Sequence, residues 1–226
     1  MSRERELELI QLELFAVGSK SSSARRSLIF LPVKRILVIG SGGAGKSTFA
    51  KQLGEILDLP VIHLDQAYWK AGWEKPSKEE WSRTVDSLIA QHEWIMDGNF
   101  GGTLPQRVKR ADAIILLDVS RWICLWRVLK RVVKYRGRHR PDLPPGCQER
   151  FDLEFIKWIW RYPQRGRPAK IALLQATGPD QRVVILRTAR EIAEFLRDTR
   201  QEVALRHMGS HWQKGGAGPT ERGRRE

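Results

Sequence analysis

Gly40-Ser41-Gly42-Gly43-Ala44-Gly45-Lys46-Ser47 is a complete G-x-x-x-x-G-K-[ST] string. The chemistry such a spacing performs is phosphate binding. Glycines let backbone N–H groups curl around phosphate oxygens where a Cβ would clash. Lys46 is placed to reach β- and γ-phosphates, and the Ser47 hydroxyl to meet Mg²⁺. Gly40, Ser41, Gly42, Gly43, Ala44, Gly45, Lys46, Ser47 and Thr48 are therefore the candidate nucleotide-binding residues. Three aspartates, Asp65, Asp97 and Asp118, each follow a short apolar run. A carboxylate at such a place can hold Mg²⁺ through water, or orient and deprotonate an attacking hydroxyl. Asp65 reads equally as an ordinary turn aspartate, and Asp118 as a cap ahead of a helix.

The elements around these residues are what the motif requires. Ile36-Leu37-Val38-Ile39 is a continuous apolar run, as in a buried parallel strand. After the loop, Phe49, Leu53, Ile56 and Leu57 recur at helical spacing, so the helix starts with its free N–H groups and positive dipole end at the anion. Further strands are expected at Val61–Leu64, Trp94–Met96, Ala113–Leu117 and Val183–Leu186. Ser77-x-x-Glu80 and Thr188-x-x-Glu191 are capping boxes that open helices. Strand and helix alternate throughout, which predicts an α/β fold: a parallel sheet with helices on both faces. Ligands of such sheets bind at the carboxyl ends of the strands, where Asp65, Asp97 and Asp118 fall.

The long connection from Arg121 to Gly178 is strongly basic. Arg127, Lys130, Arg131 and Lys134 share one helical face. A Pro-rich turn, His139 to Gly146, interrupts it, and a second helix carrying Phe151, Phe155, Trp158 and Ile159 is expected to run to Pro163. This predicts a basic helical hairpin, about 127–168, that folds over the nucleotide. Arg127 and Arg131 are candidates to neutralise a transferring phosphoryl group, or else form a solvated face. Arg138 and Arg140 are candidate lid arginines. Trp69 and Trp73 are expected either to wall an acceptor pocket or to pack in the core. His63 reads as a packed residue.

With 226 residues and 41% hydrophobic content, the chain can build one well-packed domain. Residues 1–32 read as a flexible appendage, 33–203 as the nucleotide-binding domain and 204–226 as a disordered tail. No run is long and apolar enough to span a bilayer. Cys124 and Cys147 form no metal or disulfide pattern, so a cytoplasmic location is expected. The net charge of +14 admits nucleic acid, a membrane surface or polyphosphate as partner.

The order of these parts resembles the adenylate-kinase-like branch of P-loop small-molecule kinases. The strings that carry the resemblance are G-S-G-G-A-G-K-S-T at Gly40 to Thr48, W-I-M-D-G-N-F at Trp94 to Phe100, and L-L-D-V-S followed by W-R-V-L-K-R up to Arg131. H-L-D-Q-A-Y-W at His63 to Trp69, D-G-N-F at Asp97 to Phe100 and R-H-R-P-D-L at Arg138 to Leu143 also resemble bacterial DNA topology modulation (FlaR-like) proteins. Asp97-Gly98-Asn99-Phe100 stands where the kinases typically carry D-G-F-P-R. The resemblance implies a three-layer P-loop NTPase sandwich with strand order 2-3-1-4-5 and a helical lid. It places strand 3 beside strand 1, which makes Asp97 the metal carboxylate, with Ser47, in preference to Asp118. It implies ATP and Mg²⁺ as cofactors, and no N-K-x-D guanine signature is present. The expected activity is transfer of the ATP γ-phosphate to a small acceptor, with Lys46, Asp65, Arg127, Arg131, Arg138 and Arg140 as catalytic candidates. The alternative is a nucleic-acid-associated ATP-binding protein whose basic segment meets backbone phosphates. The acceptor and the oligomeric state stay open.

Overall fold

The structure is a computed structural model, and the residues it describes are 33–135, 146–147 and 151–214. Five strands form one sheet: β1 (Arg35–Gly40), β2 (Val61–His63), β3 (Trp94–Asp97), β4 (Ala113–Leu117) and β5 (Arg182–Leu186). Every pairing is parallel, and the order is β2-β3-β1-β4-β5, as the resemblance implied. The phosphate-loop strand is thus central, with Val38 in register with Asp97 on one side and Ile115 on the other.

Alternation along β1 assigns its side chains to two layers. Ile36 and Val38 join Phe49, Leu53, Ile115, Val128 and Phe195 on one face. Leu37 and Ile39 join Leu64, Trp81, Val85, Leu104 and Leu116 on the other. The first layer is covered by α1 (Lys46–Leu57), α5 (Arg121–Lys134) and α7 (Ala189–Lys214). The second is covered by α3 (Lys78–Ile89) and α4 (Leu104–Arg110). Both capping boxes form: the Ser77 hydroxyl accepts from the Glu80 N–H at 3.0 Å, and the Thr188 hydroxyl from the Glu191 N–H at 3.1 Å. Each satisfies an orphan donor at a helix start.

Three boundaries differ from the sequence expectation. The strand expected over Val61–Leu64 stops at His63, and a short helix α2 (Leu64–Tyr68) begins at once, so Asp65 lies in a helical first turn and not in a loop. Leu64 is fully buried against the second layer, and that packing draws the chain into the turn. The helix expected to end at Pro163 runs on as α6 (Leu153–Gln175), through Pro163 and Pro168. A proline inside a helix costs about 3 kcal/mol. Here the helix is tied down on both sides of the prolines, by Ile159 in the first layer and Leu174 in the second. Because its two ends join different layers, α6 passes from one face of the sheet to the other. Finally, α7 continues through Lys214, beyond residue 203, where the tail was expected to lose structure. An Arg206–Glu202 pair one turn apart supports that extension.

Candidate active site

The phosphate loop leaves β1 at Gly40 and enters α1 at Lys46. Gly43 and Gly45 take φ of +77° and +95°, the left-handed region that favours glycine. A Cβ on Gly43 would also collide with the Cys124 carbonyl of α5. On Gly42 a Cβ would stand 2.5 Å from the Phe155 ring of α6. The loop is therefore packed between α5 and α6, and the strand–loop–helix geometry is that of an anion cradle. Arg127 holds the same loop, its Nη1 donating to the Ala44 carbonyl at 3.1 Å. Its guanidinium is thereby committed at one end to the protein backbone.

Lys46 Nζ donates to the Ser41 carbonyl at 3.0 Å. Burial lowers its pKa, while Asp97 and then Asp65 oppose that shift and Arg131 reinforces it. These causes bring Lys46, Asp97, Asp65 and Arg131 into one electrostatic neighbourhood. Arg131 also lies over the Phe155 ring, 5.9 Å from its centroid. Ser47 follows in the first turn of α1 and is half-buried, whereas Thr48 is exposed. Arg138 and Arg140 lie outside the described residues.

The two rival carboxylates have different surroundings. Asp97 is 3% exposed, and its Oδ1 is 2.8 Å from His63 Nδ1. His63 is thus not merely packed; it orients the carboxylate at the end of β3. Asp118 is gripped by Arg167 of α6, with Arg187 Nε a further 3.8 Å contact. Its charge is already matched within the protein.

Arg107 was not among the sequence candidates, yet it is fully buried. It donates to the carbonyls of Gly98 (3.1 Å), Asn99, Phe100 (3.0 Å) and Thr103 (3.3 Å). It therefore fixes the Asp97-Gly98-Asn99-Phe100 string, including Phe100 at φ +29°. In turn Asn99 Oδ1 accepts from the Gly40 N–H at 3.4 Å, linking that string to the phosphate loop. The signal in the sequence was a basic residue on the buried stripe Leu104–Arg107–Val108, where an aliphatic one is usual.

Trp69 and Trp73 are half-buried and meet each other edge-on at 5.2 Å, outside both core layers. Beside them Tyr68 touches Trp69, Trp81 and Phe100, so an aromatic wall flanks the end of β3. Gly146 and Cys147 reach this wall: Gly72 N–H donates to the Gly146 carbonyl at 3.3 Å, and Cys147 Sγ to the Lys70 carbonyl at 3.2 Å.

The residues fit Mg-ATP. The left-handed loop glycines, the α1 N-terminus, Lys46, whose ammonium donates to the Ser41 carbonyl, and the buried Asp97 form a suitable donor set. No cluster of three or more His, Cys, Asp or Glu suited to a metal occurs among the described residues. Mg²⁺ in phosphate sites needs only one or two protein ligands beside phosphate oxygens. Among the described residues no helix is long and apolar enough to cross a membrane.

No family model matches the chain. Over 106 residues the chain is 29% identical to an adenylate kinase of Thermosipho melanesiensis, covering 46% of this chain and 48% of that protein. The chain thus spans about half the length of the curated relative it matches. Among solved structures, shikimate kinase from Acinetobacter baumannii in complex with shikimate aligns with a TM-score of 0.51 at 15% identity, over 78% of this chain and 96% of that one. Shikimate kinase from Bacteroides thetaiotaomicron aligns with a TM-score of 0.46 at 16% identity, over 76% and 99%. Likeness at such identities speaks to architecture, and function is decided by the site. The chain therefore has a five-stranded parallel-sheet fold of order 2-3-1-4-5 with flanking helices, the fold it shares with the Acinetobacter baumannii shikimate kinase.

Proposed function

We propose that the protein is an ATP- and Mg²⁺-dependent phosphotransferase of the P-loop small-molecule kinase type. The observation that carries this reading is the neighbourhood of Lys46. Its ammonium has Asp97 from β3 and Asp65 from α2 within electrostatic reach. A loop that only bound nucleotide would have no need of a second carboxylate there. The partial likeness to an adenylate kinase adds support.

Bound Mg-ATP would supply the γ-phosphoryl group and the metal's charge. The loop amides and Lys46 bind and position phosphate oxygens, and Ser47 and Asp97 are the metal-holding residues, with His63 orienting Asp97. Asp65 orients the acceptor hydroxyl and takes its proton. Arg131 offsets charge on the transferring group, and Arg127 stiffens the loop through Ala44. The arrangement acts mainly through positioning and electrostatics. Arg138 and Arg140 complete the lid in this reading.

A second reading, a nucleic-acid-associated ATP-binding protein of the topology-modulation type, draws support from the outer side of α5. Trp122 and Trp126 are largely exposed there, with Arg121 and Lys130 over their rings. Exposed aromatics beside cations suit single-stranded bases. A screen of nucleosides, nucleotides, sugars and small acids for stimulated ADP release separates the two. A stimulating acceptor supports the kinase. Absence of any stimulation, with DNA binding that falls steeply with salt, favours the second reading.

A further inference from the structure

Trp122, Trp126, Leu129 and Val133 of α5 stand at i, i+4, i+7 and i+11, so they share one helical face. The opposite face is the buried one, with Cys124 and Val128 in the first core layer. The four outer side chains are 62%, 61%, 47% and 77% exposed, so no described element covers them. Single exposed apolar residues are ordinary, but a continuous stripe at helical period is a contact surface. It extends onto α6, where Trp160 meets Trp122 edge-on at 5.0 Å. Cations rim it. Arg121 lies over the Trp122 and Trp160 rings, 5.6 and 4.3 Å from their centroids, and Lys130 over the Trp126 ring at 5.0 Å. Lys134 follows Lys130 one turn on, along the same flank. The outer side of α5 is thus an apolar ridge about 16 Å long with basic edges.

A partner must match both features, and the chain carries such a segment outside the described residues. In residues 1–15, Leu7, Ile10 and Leu14 recur at helical spacing. On a helix Glu4 and Glu8 would flank that stripe on one side, and Glu6 and Glu13 on the other. We propose that residues 4–14 dock as an acidic amphipathic helix on the outer face of α5. Leu7, Ile10 and Leu14 cover the ridge, and the glutamates face Arg121, Lys130 and Lys134. Reach permits this. Residues 16–32 join the segment to Val33, and fully extended they span about 55–60 Å. A domain of this size is about 40 Å across. A second copy of the chain fits less well, because a two-fold axis sets the patch against itself and opposes its own cations. Single-stranded nucleic acid can stack on the tryptophans but finds no ring at Leu129 or Val133. The docked segment covers the two tryptophans that the nucleic-acid reading would use, and so competes for that face from within the chain. The proposal does not depend on the phosphotransferase reading.

The test is carbodiimide cross-linking of the full chain, which joins carboxylates to lysine ammonium groups in contact with them. A mixture of light- and heavy-nitrogen protein separates contacts within one chain from contacts between copies. The expected links run from Glu4, Glu6, Glu8 or Glu13 to Lys130 or Lys134, within one isotope. They should exceed links to the exposed Lys51 and Lys109 by at least about tenfold. Leu7→Ser with Leu14→Ser removes the apolar contact without touching a core residue, and should cut the links by at least about tenfold. Trp126→Ser with Val133→Ser should do the same from the other side. Absence of the links in the wild type overturns the proposal, as do links spread evenly over the exposed lysines. Mixed-isotope links would give the face to a second copy, and links that survive either double variant would show charge acting alone; both overturn it. Single-stranded DNA binding that needs Trp126, yet is equally tight with and without the Leu7 and Leu14 side chains, would give the face to nucleic acid instead.

Discussion

Arg167 holds both carboxylate oxygens of Asp118, through Nε at 2.9 and 3.0 Å and Nη2 at 2.9 Å. Asp118 therefore works as an anchor between β4 and α6, and the fork geometry suits a structural pair. Asp97, one strand over from the loop on the other side, has a histidine for its partner and the Lys46 charge nearby.

The two aspartates should separate in a variant comparison. Asp97→Asn should reduce phosphoryl transfer by about 100-fold or more, with Tm little changed, because it removes a charge that the metal requires. Asp118→Asn should leave Mg²⁺ dependence intact and cost about 1–3 kcal/mol of stability, since Arg167 loses a partly buried partner. Activity against Mg²⁺ concentration and denaturant midpoints measure both effects. If Asp118→Asn is the variant that shifts Mg²⁺ dependence, the metal residue is on β4.

Gly42 and Phe155 form the next pair. A Cβ at Gly42 meets the Phe155 ring at 2.5 Å. Gly42→Ala should weaken Mg-ATP binding by about tenfold, or about 1.4 kcal/mol, by pushing α6 from the loop. Adding Phe155→Ala should recover part of the loss, because the clash partner is gone. Titration calorimetry on the single and double variants gives the coupling, and strict additivity would contradict the packing described.

The region most easily read in the residues was the part governed by local rules. The apolar runs, the phosphate loop and both capping boxes each depend on neighbours within a few positions. Features set by distant partners were not legible. Pro163 reads as a helix end, but Ile159 and Leu174 hold α6 together from opposite faces of the sheet. Arg107 stands on an apolar stripe with Leu104 and Val108, but the carbonyls of the Gly98–Phe100 string that surround it are set by the turn after β3 and not by that spacing. His63 alternates along a strand like any half-buried residue, and only the β2–β3 register, His63 opposite Asp97, reveals its partner.

Lys170 also predicts a pH effect on stability. Burial first, then Lys46 and Arg107, bring its pKa down from 10.5 to about 8. Between those values the unfolded chain binds the proton and the folded protein does not, so this group makes stability rise with pH across the window. Below about pH 8 the folded protein carries the full penalty of the buried charge. Lys170→Met should therefore be more stable than wild type at pH 7, by about 1–3 kcal/mol, and the difference should shrink toward pH 10.5. Denaturant melts of both proteins from pH 6 to 10 check this. A constant difference across the range would show that Lys170 does not titrate there.

The central claim is that the loop from Gly40 to Thr48 binds Mg-ATP through Lys46. Titration calorimetry of Mg²⁺ with β,γ-imido-ATP against wild type and Lys46→Ala tests it most directly. The account predicts one site per chain in the wild type. It predicts at least about a 100-fold loss, or about 2.7 kcal/mol, in the variant, with Tm in the absence of nucleotide little changed. Equal affinity in the two proteins, or no binding by a folded wild type at millimolar nucleotide, would contradict it.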